Sequence, residues 1–396
     1  MSAAPPAQGA QGVQGTVAPG FAQVRAAFER ALARHPEPVG AQLAVRHHGR
    51  VVVDLWAPDT TADTVTGLFS VAKGVAHLVG ALAVQDGAVD LARPVAHYWP
   101  AFAAEGKGAV TVGTLWSHGA GLVAVPQGFG VDELADDAAL AELLAGQRPW
   151  WRPGDGYGYH ALVVGALVAE VVRRATGATL AELYAERVRE PFGVDLHLGL
   201  PEADRARLAP VTRAAGAPGP RRAPVPLAEA TLMELAFNQH AAEPTDVVGL
   251  ASDPRVHAGG PSSSGAFGTA RGVAALYAAA ISGSGSRPAL LAASTAAGLA
   301  TPRQAGRDVV TGEPDHFGAG FERIASRFAA APAGAFGHSG AAGALGFADP
   351  GSGIAYGYAR SLFGAGGGAA PENGLLVAAV TRAAAQADED AATMPR

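Results

Sequence analysis

Several residue types and patterns are missing from this 396-residue chain, and each absence excludes a class of protein. There is no cysteine, so the chain has no disulfide framework, no Cys-based metal site and no thiol nucleophile. No uninterrupted apolar run of about 18 residues occurs, so we expect no membrane-spanning helix. Lysine occurs only at Lys73 and Lys107, and basic residues form no run that could follow a phosphate backbone. We therefore expect no nucleic-acid partner.

The N-terminal segment differs in composition from the rest of the chain. Residues 1–20 are mostly Ala, Gly, Gln and Pro and lack the basic and apolar blocks of a secretory signal. We therefore predict a disordered segment there and a cytoplasmic protein. Apolar residues make up 49% of the whole chain, which is enough to bury one large core. The remaining residues, 21–396, are predicted to form a single domain.

Strand-like segments lie near both ends of the chain. Gln42–Arg46 and Val51–Trp56 flank a turn that contains Gly49, and a similar hairpin pattern joins Ala344–Phe347 to Ile354–Tyr358. Between these ends, apolar residues recur mostly at steps of three and four, a pattern that predicts helices.

This distribution predicts an α+β fold. One antiparallel sheet is built from both termini and flanked by helices, and a mostly helical region is inserted beside it. We place the sheet part at about 21–69 and 300–396, and the helical part at about 70–299.

Ser70 and Lys73 are the first candidates for chemistry. Ser70-Val71-Ala72-Lys73 begins a predicted helix, so the hydroxyl and the amine emerge on one face within mutual reach. A buried lysine has a lowered pKa and can take the serine proton, and the Ser70 N–H at the helix start can bind an oxyanion. The alternative is a capping serine beside a solvated lysine, although a cation in the first helical turn is electrostatically misplaced.

Tyr159 is the second candidate. It follows a Gly-rich loop and precedes a helix predicted from Leu162, a junction from which a phenol can point into a cleft and shuttle a proton. Tyr157 lies two residues earlier and is a rival for this role. The alternative for Tyr159 is an ordinary aromatic at the edge of the core.

The segment Phe336-Gly337-His338-Ser339-Gly340-Ala341 is the third candidate, an apolar and Gly-rich stretch near the C-terminus. Glycine lets a ligand approach the backbone of such a strand closely. Two interpretations of His338 remain open, a contact to that ligand or a core histidine. The segment lacks the final glycine and the following helix of the G-x-S-x-G elbow, so Ser339 is not predicted to be a nucleophile.

The order and separation of these three elements resemble the S-x-x-K serine hydrolases, which include class C β-lactamases, DD-peptidases and family VIII carboxylesterases. The resemblance runs from about Phe21 to the C-terminus. It also rests on Leu68-Phe69 before the serine, Asp86-Gly87 with Asp90-Leu91, Thr111-Val112, Ser117-His118-Gly119-Ala120-Gly121-Leu122, Pro153-Gly154, Ser262-Ser263-Ser264-Gly265 and Gly268-Thr269-Ala270-Arg271.

The resemblance implies a role for each candidate. Ser70 would form an acyl-enzyme, Lys73 and Tyr159 would share the general base and acid duties, and the N–H groups of Ser70 and Ala341 would form an oxyanion hole. No cofactor is implied. A metal site is not predicted either, because His47-His48 lies in a turn with no companion ligand in view.

Two departures from the family pattern bear on the substrate. His338-Ser339-Gly340 stands where β-lactamases carry Lys-Thr-Gly, which removes a cation suited to a substrate carboxylate. Tyr159-His160-Ala161 replaces Tyr-Ser-Asn, which removes an amide that would hold an acylamino side chain. Because the family's esterases commonly have histidine at this strand, the resemblance favours a small ester. The predicted substrate contacts are His338, Ser339, Gly340, His160, Trp150 and Trp151; the two tryptophans either wall an acyl pocket or pack in the core.

The leading functional prediction is a serine carboxylesterase whose partner is a small-molecule ester. The close alternative is an acyl transferase of secondary metabolism, in which an amine or alcohol intercepts the acyl-enzyme. A β-lactamase or DD-peptidase is disfavoured by the departures from the family pattern. A non-catalytic binding homologue is disfavoured by the intact Ser70, Lys73 and Tyr159.

Overall fold

The computed structural model describes residues 12–314, 316–364 and 367–393. The strands within those residues are β1 (Gln14–Val17), β2 (Ala41–His47), β3 (Arg50–Trp56), β4 (Thr66–Phe69), β5 (Leu196–Leu198), β6 (Thr212–Arg213), β7 (Ala266–Gly268), β8 (Glu322–Arg323), β9 (Phe336–Ser339), β10 (Leu345–Asp349), β11 (Ile354–Arg360) and β12 (Leu362–Phe363).

The helices of the described residues lie mostly between β4 and β8. They are α1 (Ala22–Leu32), α2 (Val71–Gln85), α3 (Val95–Tyr98), α4 (Val112–Trp116), α5 (Val131–Ala135), α6 (Asp137–Ala145), α7 (Val164–Thr176), α8 (Leu180–Tyr184), α9 (Glu190–Phe192), α10 (Leu232–Ala236), α11 (Pro254–Gly259), α12 (Ala270–Ile281), α13 (Ala293–Gly298), α14 (Ile324–Arg327) and α15 (Asn373–Thr393). Shorter 3₁₀ or π-helical segments span Pro100–Ala109, Ala185–Arg189, Glu202–Arg207 and Gly249–Ser252. None of the helices in the described ranges has both the length and the apolar character needed to cross a membrane.

The central antiparallel sheet has the strand order β1-β3-β2-β11-β10-β9-β8. Both predicted hairpins are present in it, β2 with β3 and β10 with β11. The first hairpin turns through His48 and Gly49, which both have positive φ angles (47° and 76°), as a two-residue type I′ turn requires. The prediction of one sheet built from both ends of the chain is confirmed.

The alternation of side chains along the strands decides which helices cover each face. Leu43 and Val45 of β2 belong to a core shared with α1 and α15, whereas Ala44 belongs to the core that contains α2 and α12. Helix α12 lies very close to the sheet, because a Cβ on Gly357 of β11 would stand 2.3 Å from the carbonyl oxygen of Ala270. Although α12 falls within the predicted helical part, it therefore packs directly on the sheet.

Strand β1 corrects the prediction for the N-terminal segment. Its residues pair with β3, and the Arg25 guanidinium donates to the carbonyl oxygens of Val13 and Gly15 at 2.8 and 2.6 Å. Backbone pairing needs no apolar side chain, so the composition of this segment did not reveal the strand. Residues 1–11 of the predicted disordered segment lie outside the described residues.

Candidate active site

Ser70 lies at the junction of β4 and α2. The preceding Phe69 has a φ of 48°, a left-handed conformation that is costly for a bulky residue and is found mainly at functional sites. Ser70 occupies the N-cap position of α2, but its side chain makes no capping hydrogen bond. The capping alternative is thus not the role of this hydroxyl, which instead accepts hydrogen bonds from Lys73 and Tyr159.

Lys73 lies one turn into α2 and is 0% exposed. Its Nζ donates to Ser70 Oγ at 2.9 Å and to the carbonyl oxygen of Ser263 at 2.7 Å. Burial lowers the pKa of Lys73 to about 7, although the nearby Glu322 carboxylate opposes this shift. A large fraction of the amine is therefore neutral near pH 7 and able to accept a proton.

Tyr159 contacts the same hydroxyl. Its O–H donates to Ser70 Oγ at 3.0 Å, and its ring stacks on that of Phe317, with ring centroids 5.7 Å apart. Burial raises the pKa of the Tyr159 phenol above its usual range, so the group remains a proton donor at neutral pH. The rival Tyr157 is buried elsewhere, and its hydroxyl donates to the carbonyl oxygen of Gly306 at 3.0 Å.

Two backbone N–H groups are available beside the serine. Ser70 and Ala341 both line the cavity, and within the described ranges neither N–H is taken by a backbone acceptor. Gly340 allows the end of β9 to pass against β4, since a Cβ there would lie 2.2 Å from the carbonyl oxygen of Leu68. Ala341 consequently packs in the same small apolar cluster as Phe69.

Glu322 is a buried carboxylate that the sequence analysis missed. It is 4% exposed and accepts hydrogen bonds from the hydroxyl and the N–H of Ser339 at 2.7 and 3.2 Å. Burial by itself would raise the pKa of Glu322, but the Arg327 guanidinium and a hydrogen bond from His316 hold it below its usual range. An ionised carboxylate therefore forms part of the cavity wall beside Ser339.

His338 lies behind the cavity rather than in its wall. The described residues that line the cavity do not include it, and its ring centroid is 6.0 Å from that of Tyr159. Its Nδ1 faces two acceptors, the Ser339 carbonyl oxygen at 2.9 Å and Glu322 Oε1 at 3.4 Å, which assigns the proton to Nδ1. Burial lowers the pKa of His338 to about 3. The structure thus favours the core interpretation of His338, a buried and neutral imidazole, while Ser339 and Gly340 do line the cavity.

The structure places three other predicted substrate contacts, Trp150, Trp151 and His160, outside the described lining of the cavity. Trp150 Nε1 donates to the carbonyl oxygen of Ala124 at 3.1 Å, and Trp151 packs edge-on against His160. His160 is fully buried and its Nε2 accepts from the Leu122 N–H at 3.0 Å. These contacts support the Gly-rich loop that precedes Tyr159. Spacing along the chain does not distinguish side chains that support this loop from side chains that line the pocket.

A cavity of about 550 Å³ opens beside Ser70. Much of its wall is apolar and consists of Phe69, Leu162, Met233, Phe237, Val248, Phe317 and Phe363. Each arginine in the described lining is paired with a carboxylate, Arg213 with Asp246, Arg221 with Glu234 and Arg327 with Glu313. The cavity therefore offers apolar surface without an unpaired guanidinium.

Gly165 holds Ser263, whose carbonyl oxygen accepts a hydrogen bond from Lys73. Its N–H donates to Ser263 Oγ at 2.7 Å, and a Cβ at this position would lie 2.3 Å from the Ser263 backbone nitrogen. Gly165→Ala is therefore expected to displace this segment, lowering the free energy of unfolding by about 1–3 kcal/mol and the rate of any reaction at Ser70 roughly 10- to 100-fold. Urea denaturation and initial rates measure both effects.

Gly146 provides the matched control. It has no atom within 4 Å of an added Cβ and an ordinary right-handed conformation, so Gly146→Ala is expected to change stability by less than about 0.5 kcal/mol. Wild-type stability in Gly165→Ala would contradict the packing argument.

Comparison with known proteins assigns the family. A model of the family described as Beta-lactamase matches residues 25–392. The chain belongs to the beta-lactamase family. Within it, the chain is similar to EstA from Arthrobacter nitroguajacolicus Rue61a, with 38% identity and a TM-score of 0.86 over 93% of this chain and 98% of that one. It is also similar to a family VIII carboxylesterase, with 30% identity and a TM-score of 0.82 over 94% of this chain and 99% of that one.

A shorter match links this member of the family to a protein of Mycobacterium tuberculosis, the esterase/beta-lactamase LipL. The two are 37% identical over 174 residues, which is 42% of this chain. The match spans 40% of the length of LipL. Together with the structural relatives, the family match confirms the predicted fold and the predicted resemblance.

Proposed function

We propose that this chain is a serine esterase that hydrolyses small, uncharged carboxylic esters through an acyl-enzyme on Ser70. The observation that carries the proposal is the environment of one atom. Ser70 Oγ lies 2.9 Å from the amine of Lys73 and 3.0 Å from the hydroxyl of Tyr159. Relatives described as a family VIII carboxylesterase and an esterase/beta-lactamase support an ester as the substrate.

Acylation starts with the neutral amine of Lys73. The amine takes the proton of Ser70 as Oγ attacks the ester carbonyl, and the N–H groups of Ser70 and Ala341 bind the oxygen that becomes negative. The tetrahedral intermediate collapses when the Tyr159 O–H gives its proton to the leaving alkoxide. Lys73, protonated in the first step, returns a proton to the phenolate, so both groups regain their starting states.

Deacylation uses the same groups with water in place of the serine hydroxyl. Lys73 removes a proton from the water that attacks the acyl carbon, and the Tyr159 O–H gives its proton to Ser70 Oγ as this atom leaves; Lys73 then returns a proton to the phenolate. The shifted pKa values suit these roles. The raised pKa keeps Tyr159 protonated as the acid, and the lowered pKa leaves Lys73 largely neutral as the base.

The cavity favours an uncharged substrate. Arg327 in the cavity wall pairs with Glu313 at 2.9 Å and is stabilised by the field of Glu322, which lines the same wall. Two carboxylates already match its charge, which disfavours a substrate carboxylate such as that of a β-lactam or peptide. An acyl chain can instead lie against rings such as Phe237 and Phe317.

Acyl transfer is the second candidate, since an alcohol or amine can attack the same acyl-enzyme. The volume of about 550 Å³ supports it, because a short acyl chain leaves room for an acceptor beside it. Product analysis with p-nitrophenyl butyrate and added alcohols measures the partition between acid and new ester. Butyric acid as the sole product with every alcohol would exclude transfer.

Mass spectrometry of the intact protein during turnover of p-nitrophenyl butyrate tests the hydrolase proposal. We expect one butyryl group per chain, mapped to the peptide that contains Ser70 and absent from Ser70→Ala. Ser339→Ala is the control, because the Ser339 hydroxyl donates to Glu322 and the adduct should persist in this variant. An unlabelled wild type, or equal labelling of Ser70→Ala, would contradict the proposal.

A further inference from the structure

A cluster of three side chains lies at the β2–β3 turn, remote in sequence from the catalytic residues. His47 ends β2, His48 begins the turn, and Asp388 lies on α15, 340 residues later than His48. Asp388 Oδ1 is 3.3 Å from His47 Nε2 and 3.1 Å from His48 Nε2. All three ligand atoms lie within 4.8 Å of one another. The fold thus supplies the companion that the sequence did not reveal for the histidine pair.

The turn between β10 and β11 packs against the His48 imidazole. The His48 N–H donates to the carbonyl oxygen of Gly353 at 2.9 Å, and a Cβ on Gly353 would lie 2.3 Å from His48 Nδ1. This contact leaves His48 Nε2, the other ring nitrogen, facing Asp388.

The His47 ring nitrogen that faces Asp388 is buried and lacks a hydrogen bond. His47 is only 8% exposed, and its Nε2 has no hydrogen-bond partner among the described residues, although the Asp388 oxygen is close. The side chains of His48 and Asp388 are 59% and 45% exposed, which leaves the cluster open to solvent.

We infer that His47 Nε2, His48 Nε2 and an Asp388 carboxylate oxygen form a binding site for a divalent transition-metal ion of the Zn²⁺ or Ni²⁺ type. The separations of 3.1 and 3.3 Å match the roughly 3.3 Å expected between ligands of a tetrahedral zinc ion with bonds of about 2.0–2.1 Å. Two imidazoles with one carboxylate suit these ions, whereas Mg²⁺ and Ca²⁺ prefer oxygen ligands. Water would complete the coordination.

The ion would join the last helix to the sheet. Helix α15 packs against α1 and β11, and the site adds a link from its exposed C-terminal half to the β2–β3 turn. Glu389 and Asp390 follow Asp388 on the helix and add negative charge, while the Arg46 guanidinium is held by the Gly49 carbonyl oxygen at 3.2 Å. His47, His48 and Asp388 are not among the described residues that line the cavity. We therefore expect metal binding to change the stability of the protein and not the rate of the chemical step.

Titration calorimetry of the tag-free full chain, treated with EDTA and dialysed, tests the site with ZnCl₂ and NiCl₂. We expect one ion per chain and a melting temperature raised by about 3 °C at a hundredfold excess over Kd. His48→Asn, chosen because asparagine tolerates the positive φ of this position, and Asp388→Asn should each weaken binding at least about tenfold. Both variants should retain esterase activity, since the changed side chains are exposed.

His97→Ala is the matched control, because His97 is an exposed histidine on α3 and its loss should leave the affinity unchanged. No saturable uptake by the wild type up to millimolar Zn²⁺ would overturn the inference. Unchanged affinity in Asp388→Asn or in His48→Asn would also overturn it, because the ion would then lie elsewhere or use fewer ligands.

Discussion

Replacement of Lys73 by arginine is expected to lower kcat/KM for p-nitrophenyl butyrate by about 10⁴-fold, to the residual level of Ser70→Ala. Arginine keeps a cation in the helix but cannot lose its proton at neutral pH, so Ser70 would have no base. The two single variants and the double variant Ser70→Ala/Lys73→Arg should have similar rates, because the two residues act as one unit.

The pH profile of the wild type gives an independent readout of the base. The pKa of Lys73 is lowered to about 7 by burial, and only its neutral form accepts a proton. Activity should therefore rise with pH through about 7 and level off above it, because the amine is protonated and inactive at lower pH. A flat profile from acid to alkaline pH, or the same rise in Lys73→Arg, would contradict Lys73 as the base.

Lys107 is the matched control for this experiment. It is the only other lysine, and it is likewise 0% exposed, with Nζ donating to the carbonyl oxygens of Ala104 and Gln147 at 2.7 and 2.6 Å. Lys107→Arg tests the loss of a buried lysine away from Ser70. It should keep the pH profile and most of the activity even if the melting temperature falls.

The parts of the site that sequence reasoning identified are those that local geometry determines. Ser70 and Lys73 are three residues apart at a helix start, so the helix itself brings the hydroxyl and the amine to 2.9 Å. The hairpin around His48 and Gly49 follows from turn chemistry in the same way. Tyr159 needed more than local geometry, because only its order relative to the serine motif, as in the related family, distinguished it from Tyr157.

The parts that were missed depend on contacts between distant segments. Ser263 meets Lys73 across 190 residues, and no pattern near either residue indicates the pairing. Glu322 had a weak signal, a single acidic residue after the apolar and Gly-rich stretch 317–321, where burial implies a partner. The strand pairing that places this carboxylate beside Ser339 is a property of the tertiary fold.

The positions of three predicted substrate contacts outside the cavity lining have a related cause. Trp150, Trp151 and His160 do lie next to the tyrosine loop in the chain, as the sequence analysis required. In the fold, however, Trp150 and Trp151 pack in a small core with residues such as Val123, and His160 is fully buried against Trp151. Nearness in sequence gives the neighbourhood of a side chain, whereas the direction in which it points is decided by the packing of the whole domain.

Tyr159→Phe is expected to lower the turnover of an alkyl ester such as ethyl butyrate by about 10²-fold or more, and that of p-nitrophenyl butyrate much less. The O–H of Tyr159 is the acid for the leaving group, and an alkoxide needs a proton whereas p-nitrophenolate leaves without one. The ring would still stack on Phe317, so the melting temperature should change little. Steady-state rates with the two esters measure the difference.

Tyr157→Phe separates this effect from the loss of any buried phenol. The Tyr157 hydroxyl donates to backbone carbonyl oxygens at Gly306 and Glu313, so its removal should affect the two esters equally. If Tyr159→Phe also slowed both esters by the same factor, the phenol would act in the attack by Ser70 and not on the leaving group. A dependence on the leaving group in Tyr159→Phe alone would assign the acid to Tyr159, which leaves Lys73 as the base of both half-reactions.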